Sequence, residues 1–160
     1  MTSPDPHLRI GLGWDAHRLE PGCPCRLAGV DLPSDVGPVG HSDGDAVLHA
    51  LCDALLGAAG LDDLGTLFPD TDPSLAGADS GRFLAETLRL LAKRGLRPIS
   101  VDLVVICDRP RLAPHRAELR RRLAERLGLA ADRVNLKGKT TEGGDGGRLE
   151  VQAVALVGPI

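Results

Sequence analysis

The chain has 160 residues, of which 42 % are hydrophobic and 26 % charged, and its formal net charge is −3. This composition predicts one soluble globular domain, because disordered chains are poorer in apolar residues. The net charge provides no basic field for nucleic acid, and three aromatic residues (Trp14, Phe68 and Phe83) are too few for a base-stacking surface. The sequence has no apolar run of about 20 residues and no signal-peptide core, so we expect a cytoplasmic protein without membrane contacts.

In chain order the predicted elements are strands over Leu8–Gly13 and Arg26–Val30, helices over Gly44–Ala59 and Ser80–Arg94, a strand over Ile99–Ile106, a helix over Pro114–Leu127, and strands over Arg133–Lys137 and Arg148–Val157. The strand over Ile99–Ile106 is β-branched and almost wholly apolar, which is typical of a central strand. This order predicts an α+β fold, with one sheet and its helices on one face. The other face of the sheet must be buried by something else, which suggests an oligomer.

The chain shows no sign of a second domain. It has no low-complexity tract or long linker, so we expect residues 9–160 to form a single domain and residues 1–8 to be a disordered extension. The four cysteines do not form the two close pairs of a zinc knuckle, and we expect all four thiols to be reduced.

Two phosphate-binding motifs are matched only in part. Gly11–Ala16 reads G-x-G-x-x-A, but Pro21 follows too soon for the helix that a dinucleotide site requires. Gly138–Thr140 ends like a P-loop, yet the position of its first glycine is occupied by Arg133. We therefore exclude both folds, although a Gly-Lys-Thr-Thr turn is suited to binding phosphate through its backbone N–H groups.

Residue types that bind metals occur in two segments. Asp15 and His17 are two residues apart, so in an extended strand their side chains point the same way. His49 lies on the apolar face of a predicted helix, four residues after Asp45, and His41 precedes that helix, where an anion would be attracted. Taken alone, the Asp15 and His17 pair is more typical of exposed polar residues, and His49 is more typical of a histidine in the core. Together they match a zinc site with three protein ligands and an open fourth position.

Three further segments combine turn-forming and charged residues. Residues 62–65 and 67–73 are acidic loops that are also consistent with helix caps and turns. Residues 107–114 form a proline-stiffened loop whose backbone groups could bind the edge of a base. Residues 137–142 combine cations, hydroxyls and a carboxylate, a composition suited to phosphate and a Mg²⁺-type ion.

These motifs together resemble the 2-C-methyl-D-erythritol 2,4-cyclodiphosphate synthases of the non-mevalonate isoprenoid pathway. The resemblance runs from about Arg9 to Val157 and depends on R-I-G-x-G-x-D-x-H, H-S-D-G-D-x-x-x-H, D-A-L-L-G-A, L-F-P-D-T-D and K-x-x-T-T-E. It implies a phosphorus–oxygen lyase in which the 2-phosphate of 4-diphosphocytidyl-2-C-methyl-D-erythritol 2-phosphate attacks the β-phosphorus and CMP is released. It also implies a homotrimer with active sites between neighbouring subunits.

The same resemblance implies roles for individual residues. Asp15, His17 and His49 would bind Zn²⁺ or another divalent transition metal, and Glu142 would hold Mg²⁺ or Mn²⁺ on the substrate diphosphate. His41 and Thr140 would stabilise the transition state. Other implied substrate contacts, besides these residues, are Ala16, Ser42, Asp63, Leu64, Gly65, Phe68, Pro69, Asp70, Thr71, Asp72, Cys107, Asp108, Arg109, Pro110, Arg111, Leu112, Ala113, Lys139 and Thr141.

Each group of these contacts would bind one part of the substrate. Residues 63–65 would hold the ribose, residues 68–72 would line the methylerythritol pocket, and residues 107–113 would bind cytosine through backbone atoms. Two other functions use the same residues. One is a zinc-dependent phosphohydrolase with water as the nucleophile, and the other is a non-catalytic trimer that binds a nucleotide or prenyl phosphate.

Overall fold

The structure, a computed structural model, describes residues 7–160, so most of the predicted extension at residues 1–8 lies outside the described residues. The strands are β1 (Arg9–Pro21), β2 (Cys25–Leu27), β3 (Val30–Leu32), β4 (Val36–Pro38), β5 (Leu96–Ile106), β6 (Val134–Lys139) and β7 (Arg148–Pro159). The helices are α1 (Ala46–Ala58), α2 (Leu64–Leu67), α3 (Ser80–Lys93) and α4 (Arg116–Leu127). Among the described residues, no helix combines the length and apolarity that crossing a bilayer requires.

Five strands form one sheet in the order β4-β1-β7-β5-β6. All neighbouring strands are antiparallel except β5 and β6, which run parallel. The apolar strand predicted over Ile99–Ile106 belongs to β5, which lies between β7 and β6 as expected of an interior strand. The predicted α+β class, with a sheet and packed helices, is confirmed.

Two glycines of β1 allow helix α1 to pack closely on the sheet. A Cβ at Gly13 would lie 1.8 Å from the carbonyl oxygen of Ala50, and one at Gly11 would lie 1.9 Å from that of Ala54. The G-x-G pattern therefore serves helix packing, because only glycine leaves room for the helix backbone. Residues after Gly13 continue the strand, so no helix begins where a dinucleotide fold would need one.

Two strand predictions near the start of the chain were wrong. The strand predicted over Leu8–Gly13 continues to Pro21, because its second half pairs with β7 and then with β4. The strand predicted over Arg26–Val30 is two short strands, β2 and β3, joined at Ala28 and Gly29. Both turn residues have positive φ, 54° and 75°, which an uninterrupted strand does not allow. Strand β4 and helix α2 were not predicted, because both are too short to show a hydrophobic period.

The face of β1 that points away from α1 is apolar and exposed. Ile10, Leu12 and Trp14 are 73 %, 70 % and 51 % exposed, and they alternate with the glycines that face the helix. Val154, opposite Leu12 on β7, is also exposed. Within residues 7–160, this part of the sheet face therefore stays exposed, in line with the open face that the element order suggested.

Candidate active site

Strand β1 and helix α1 bring three metal-binding side chains together. Asp15 and His17 lie on the helix-facing side of β1, and His49 lies one turn into α1. Each offers one ligand atom, and the three atoms lie within 4.8 Å of one another. The packing of Gly13 against Ala50 holds the strand and the helix close enough for this contact.

The geometry of this group fits a metal ion. The Oδ2 atom of Asp15 lies 3.0 Å from Nδ1 of His17 and 3.3 Å from Nδ1 of His49. Ligand atoms of a tetrahedral zinc ion stand about 3.3 Å apart, since each lies about 2.0–2.1 Å from the metal. Both Asp15 Oδ2 and His17 Nδ1 are buried without a well-directed hydrogen bond among the described residues. A divalent cation would satisfy both atoms, and the donor set matches a zinc site.

The charges in this group stabilise one another. Burial raises the pKa of Asp15, but hydrogen bonds and charge from His17 and His49 outweigh it and hold the pKa below its ordinary value. Burial lowers the pKa of His49, but the Asp15 carboxylate outweighs this effect and the pKa lies above its ordinary value. The pocket therefore keeps the Asp15 carboxylate ionised, and a metal ion bound there would have to displace a proton from His49.

The opposite side of His49 contacts two residues with hydroxyl groups. Its Nε2 atom lies 2.8 Å from Oγ of Ser80 and 3.2 Å from Oγ of Ser42. Ser80 also donates to the carboxylate of Asp43 through its hydroxyl and, at 2.9 Å, through its backbone N–H. Sequence reasoning placed Ser80 only at the start of a predicted helix and assigned no role to Asp43. Asp43 is the third residue of the H-S-D-G-D motif, and its place in that motif was the signal that could have identified it.

Asp45, four residues before His49, does not point toward the metal group. Its carboxylate accepts hydrogen bonds from the backbone N–H groups of Ala28, Gly29 and Leu48, at 2.9, 2.7 and 3.1 Å. It therefore caps α1 and fixes the β2–β3 turn. Burial raises the pKa of Asp45 to about 6, although the backbone N–H groups act against that rise.

The metal group opens into a cavity of about 370 Å³, here called the metal cavity. The predicted site residues that line it are Asp15, His17, His41, Ser42, His49, Leu64, Gly65, Phe68 and Asp70. Sequence reasoning missed Asp53, Leu75 and Phe83, which also line it. Asp53 accepts a hydrogen bond from the backbone N–H of Leu64 at 2.7 Å and so holds α2 beside α1. Its position in D-A-L-L-G-A was the signal that could have identified it.

A second cavity, of about 220 Å³, lies between the loop after β5 and the end of β6, and is here called the loop cavity. The predicted residues that line it are Cys107, Asp108, Pro110, Arg111, Leu112, Ala113, Lys139 and Thr140. The Asp108 carboxylate accepts hydrogen bonds from the Thr141 backbone N–H and hydroxyl, both at 2.8 Å. This contact joins the loop after β5 to the residues that follow β6.

The remaining predicted residues line neither cavity. They are Ala16, Asp63, Pro69, Thr71, Asp72, Arg109, Thr141 and Glu142. Asp63 and Asp72 cap short helical turns, although the Asp72 carbonyl lies 3.1 Å from Nε2 of His41. Arg109 pairs with Asp35 at 2.7 Å, and Glu142 accepts a hydrogen bond from Thr140 at 3.1 Å. Within the described chain, the two cavities share no lining residue.

Comparison with known proteins identifies close relatives over nearly the whole chain. Residues 8–158 match the model of the YgbB family. A 2-C-methyl-D-erythritol 2,4-cyclodiphosphate synthase of Thermus thermophilus is 52 % identical over 150 residues, which are 94 % of this chain and 99 % of that protein. Two solved structures of enzymes with this name, one of them bound to CDP, are 51 % and 49 % identical. Each has a TM-score of 0.89 and covers 93 % of this chain and 99 % of its own.

Proposed function

Because the chain belongs to the YgbB family, we propose that it converts 4-diphosphocytidyl-2-C-methyl-D-erythritol 2-phosphate to 2-C-methyl-D-erythritol 2,4-cyclodiphosphate and CMP. The observation that carries this proposal is the group of Asp15, His17 and His49, whose geometry fits a zinc ion. The CDP-bound relative further supports a cytidine diphosphate ligand.

The reaction needs no nucleophile from the protein, because the 2-phosphate of the substrate is already anionic. An oxygen of the 2-phosphate forms a bond to the β-phosphorus, and the bond from that phosphorus to the oxygen shared with the CMP phosphate breaks. Holding the two phosphates in line converts the step into an intramolecular one, which is worth on the order of 7–11 kcal/mol. When bound, divalent cations neutralise charge on the phosphates that react.

The protein residues orient the substrate at both ends. Asp15, His17 and His49 would hold zinc, and Glu142 would hold Mg²⁺ or Mn²⁺ on the diphosphate. His41 and Thr140 contact phosphate oxygens as charge develops on them, and Ser42, Lys139 and Thr141 bind the same phosphates. Residues 107–113 bind cytosine in the loop cavity through backbone atoms. Residues 63–65 bind the ribose, and residues 68–72 line the methylerythritol pocket.

A homotrimer would complete this site. The metal cavity and the loop cavity are separate in one chain, yet the substrate must reach both, so the two cavities of one active site come from neighbouring subunits. The exposed Ile10, Leu12 and Trp14 supply an apolar face for such contacts. Light scattering should give about 50 kDa, three times 16.8 kDa. A monomer at working concentration would contradict this assembly.

All four cysteines are free, which supports a reducing, cytoplasmic location.

Phosphorus NMR of the reaction tests the proposed activity. Zinc-loaded and Mg²⁺-supplemented protein should consume the substrate, release CMP and give the two coupled resonances of a cyclic diphosphate. Open-chain methylerythritol phosphates would indicate a hydrolase. Binding of CDP with no turnover would indicate a nucleotide-binding trimer. A matched sample treated with chelator should lose turnover and recover it when metal is restored.

A further inference from the structure

His49 is the one member of the metal group whose two ring nitrogens both have defined neighbours in the described chain. Nδ1 faces Asp15 at 3.3 Å within the metal group, and Nε2 lies 2.8 Å from the Ser80 hydroxyl. A neutral imidazole carries one proton, so its position decides whether Nδ1 has a lone pair for a metal. The neighbours of Nε2 therefore bear directly on metal binding.

The direction of the Ser80 hydroxyl is fixed by Asp43. That carboxylate accepts hydrogen bonds from the Ser80 hydroxyl, the Ser80 backbone N–H and the backbone N–H of Asp45. The Arg26 guanidinium forms an ion pair with the same carboxylate at 3.7 Å. A carboxylate can only accept, and a hydroxyl has one hydrogen, so Ser80 donates to Asp43 and accepts from its other neighbour.

That other neighbour is His49, which must then donate through Nε2–H. We infer that Asp43 and Ser80 are positioning residues that hold His49 as its Nε2–H tautomer and so direct the Nδ1 lone pair to the metal. Asp15 acts in the opposite sense, because it would accept a proton from Nδ1. In the alternative Nδ1–H tautomer, Nε2 carries a lone pair. That lone pair would either face the lone pairs of the Ser80 oxygen or accept the Ser80 hydroxyl hydrogen, and in the second case Ser80 would lose its hydroxyl hydrogen bond to Asp43. The inference rests on the proposed metal site and is independent of the reaction.

Ser80, the residue between Asp43 and His49, is shielded from water. Ser80 is fully buried at the first turn of α3, where the Asp79 side chain accepts from the next backbone N–H. Metal-bound histidines usually donate their second ring N–H to a carboxylate, carbonyl or water, and loss of that partner weakens metal binding about 10–100-fold. Here the Ser80 hydroxyl contacts the His49 ring, and the Asp43 carboxylate acts on the ring only by orienting that hydroxyl.

Two readouts test the inference. The first is the His49 tautomer in zinc-free protein well above the imidazole titration range, observed as the protonated ring nitrogen in a long-range proton–nitrogen correlation spectrum. We expect Nε2–H in the wild type and Nδ1–H in Asp43→Ala, because the freed Ser80 hydroxyl turns to donate to Nε2. The Nδ1–H tautomer in the wild type, or no change in Asp43→Ala, would overturn the inference.

The second readout is the zinc dissociation constant, measured by competition with a fluorescent chelator. Ser80→Ala should raise it about 10–100-fold, and Ser80→Thr should restore it because the hydroxyl returns. Thr87→Val is the matched control, since it removes another buried hydroxyl of α3, one that lies beside Cys52 and not beside His49. Equal affinity in Ser80→Ala and Thr87→Val would overturn the inference. A wild type that binds no zinc would refute the proposed metal site, whereas the tautomer experiment would still test the role of Asp43.

Discussion

The metal cavity and the loop cavity are built from different parts of the protein. In the metal cavity, side chains from β1 and α1 converge, and hydrogen bonds with Ser42 and Ser80 hold the ring of His49. In the loop cavity, a single proline-rich loop lies against the end of β6, and Asp108 joins the two segments. One cavity therefore depends on the identity of three side chains, and the other on the path of a backbone. Substitutions should affect the two cavities very differently.

Removal of a metal ligand should have the largest effect. His49→Ala should weaken zinc binding by more than about 100-fold, because even loss of a ligand's hydrogen-bond partner costs about 10–100-fold. Turnover should fall with zinc occupancy, while circular dichroism shows a folded protein. His115→Ala, which changes a histidine at the start of α4 outside both cavities, is the control. A zinc-loaded, active His49→Ala variant would refute the assignment of His49 as a ligand.

The second largest effect should come from lowering the pH, which should weaken ligand binding in the metal cavity much more than in the loop cavity. The pKa of His49 lies above its ordinary value, because the Asp15 carboxylate outweighs the opposite effect of burial. Below that pKa the ring carries both protons and cannot bind a metal. Zinc affinity should therefore fall as the pH drops, by about tenfold per pH unit for each proton displaced. Calorimetric titration with zinc across the imidazole range measures this, and constant affinity would contradict the role of His49.

None of the described residues that line the loop cavity is a histidine. Burial raises the pKa of the Cys107 thiol to about 12, and hydrogen bonds from Thr141 hold the pKa of the Asp108 carboxyl below its ordinary value. CDP binding to chelator-treated protein should therefore change much less than zinc binding over the same pH range. An equally steep loss of CDP affinity would show that the loop cavity depends on the metal group.

Removal of the hydrogen bonds between Asp108 and Thr141 should have a moderate effect on CDP binding. Asp108→Ala removes the acceptor for both the backbone N–H and the hydroxyl of Thr141, so the loop after β5 loses these hydrogen bonds to the residues that follow β6. We expect CDP affinity to fall about three- to tenfold. Loss of one hydrogen bond to a charged group can cost about 1.5–3 kcal/mol, and we expect a smaller loss because the proposed base contacts come from the loop backbone and not from Asp108. Zinc affinity should not change, because the metal cavity shares no lining residue with this loop. A loss of zinc would show that the cavities are coupled within one chain.

The smallest effect should come from the exposed side chain of the same loop. Arg109 pairs with Asp35 on the surface and does not line the loop cavity. Arg109→Ala should change CDP affinity by less than about twofold, because exposed ion pairs contribute little and the proposed base contacts come from the backbone. Fluorescence titration with CDP checks this value. A loss as large as that expected for Asp108→Ala would show that the Arg109 side chain itself contacts the ligand.

Sequence reasoning was most successful where a pattern is local. The i, i+2 spacing of Asp15 and His17 predicted two side chains on one side of a strand, and the apolar period around His49 predicted a buried face of a helix. It failed at Ala28 and Gly29, where a turn divides an apolar run into two strands. It also placed Asp45 on the same helical face as His49, although the Asp45 carboxylate bonds to the backbone of a distant turn.

The sequence by itself determined the sheet with its helices, the three candidate ligands and the family, because each depends on periodicity or on residue types at fixed spacing. Only the tertiary structure decided that β1 continues past Gly13, that the two cavities share no lining residue among residues 7–160, and that Ser80 lies between Asp43 and His49. Ser80 lies 31 residues after His49 in the chain. Hydrogen bonds across such separations depend on how α1 and α3 pack against each other. No periodic pattern in the sequence shows which residues that packing brings together.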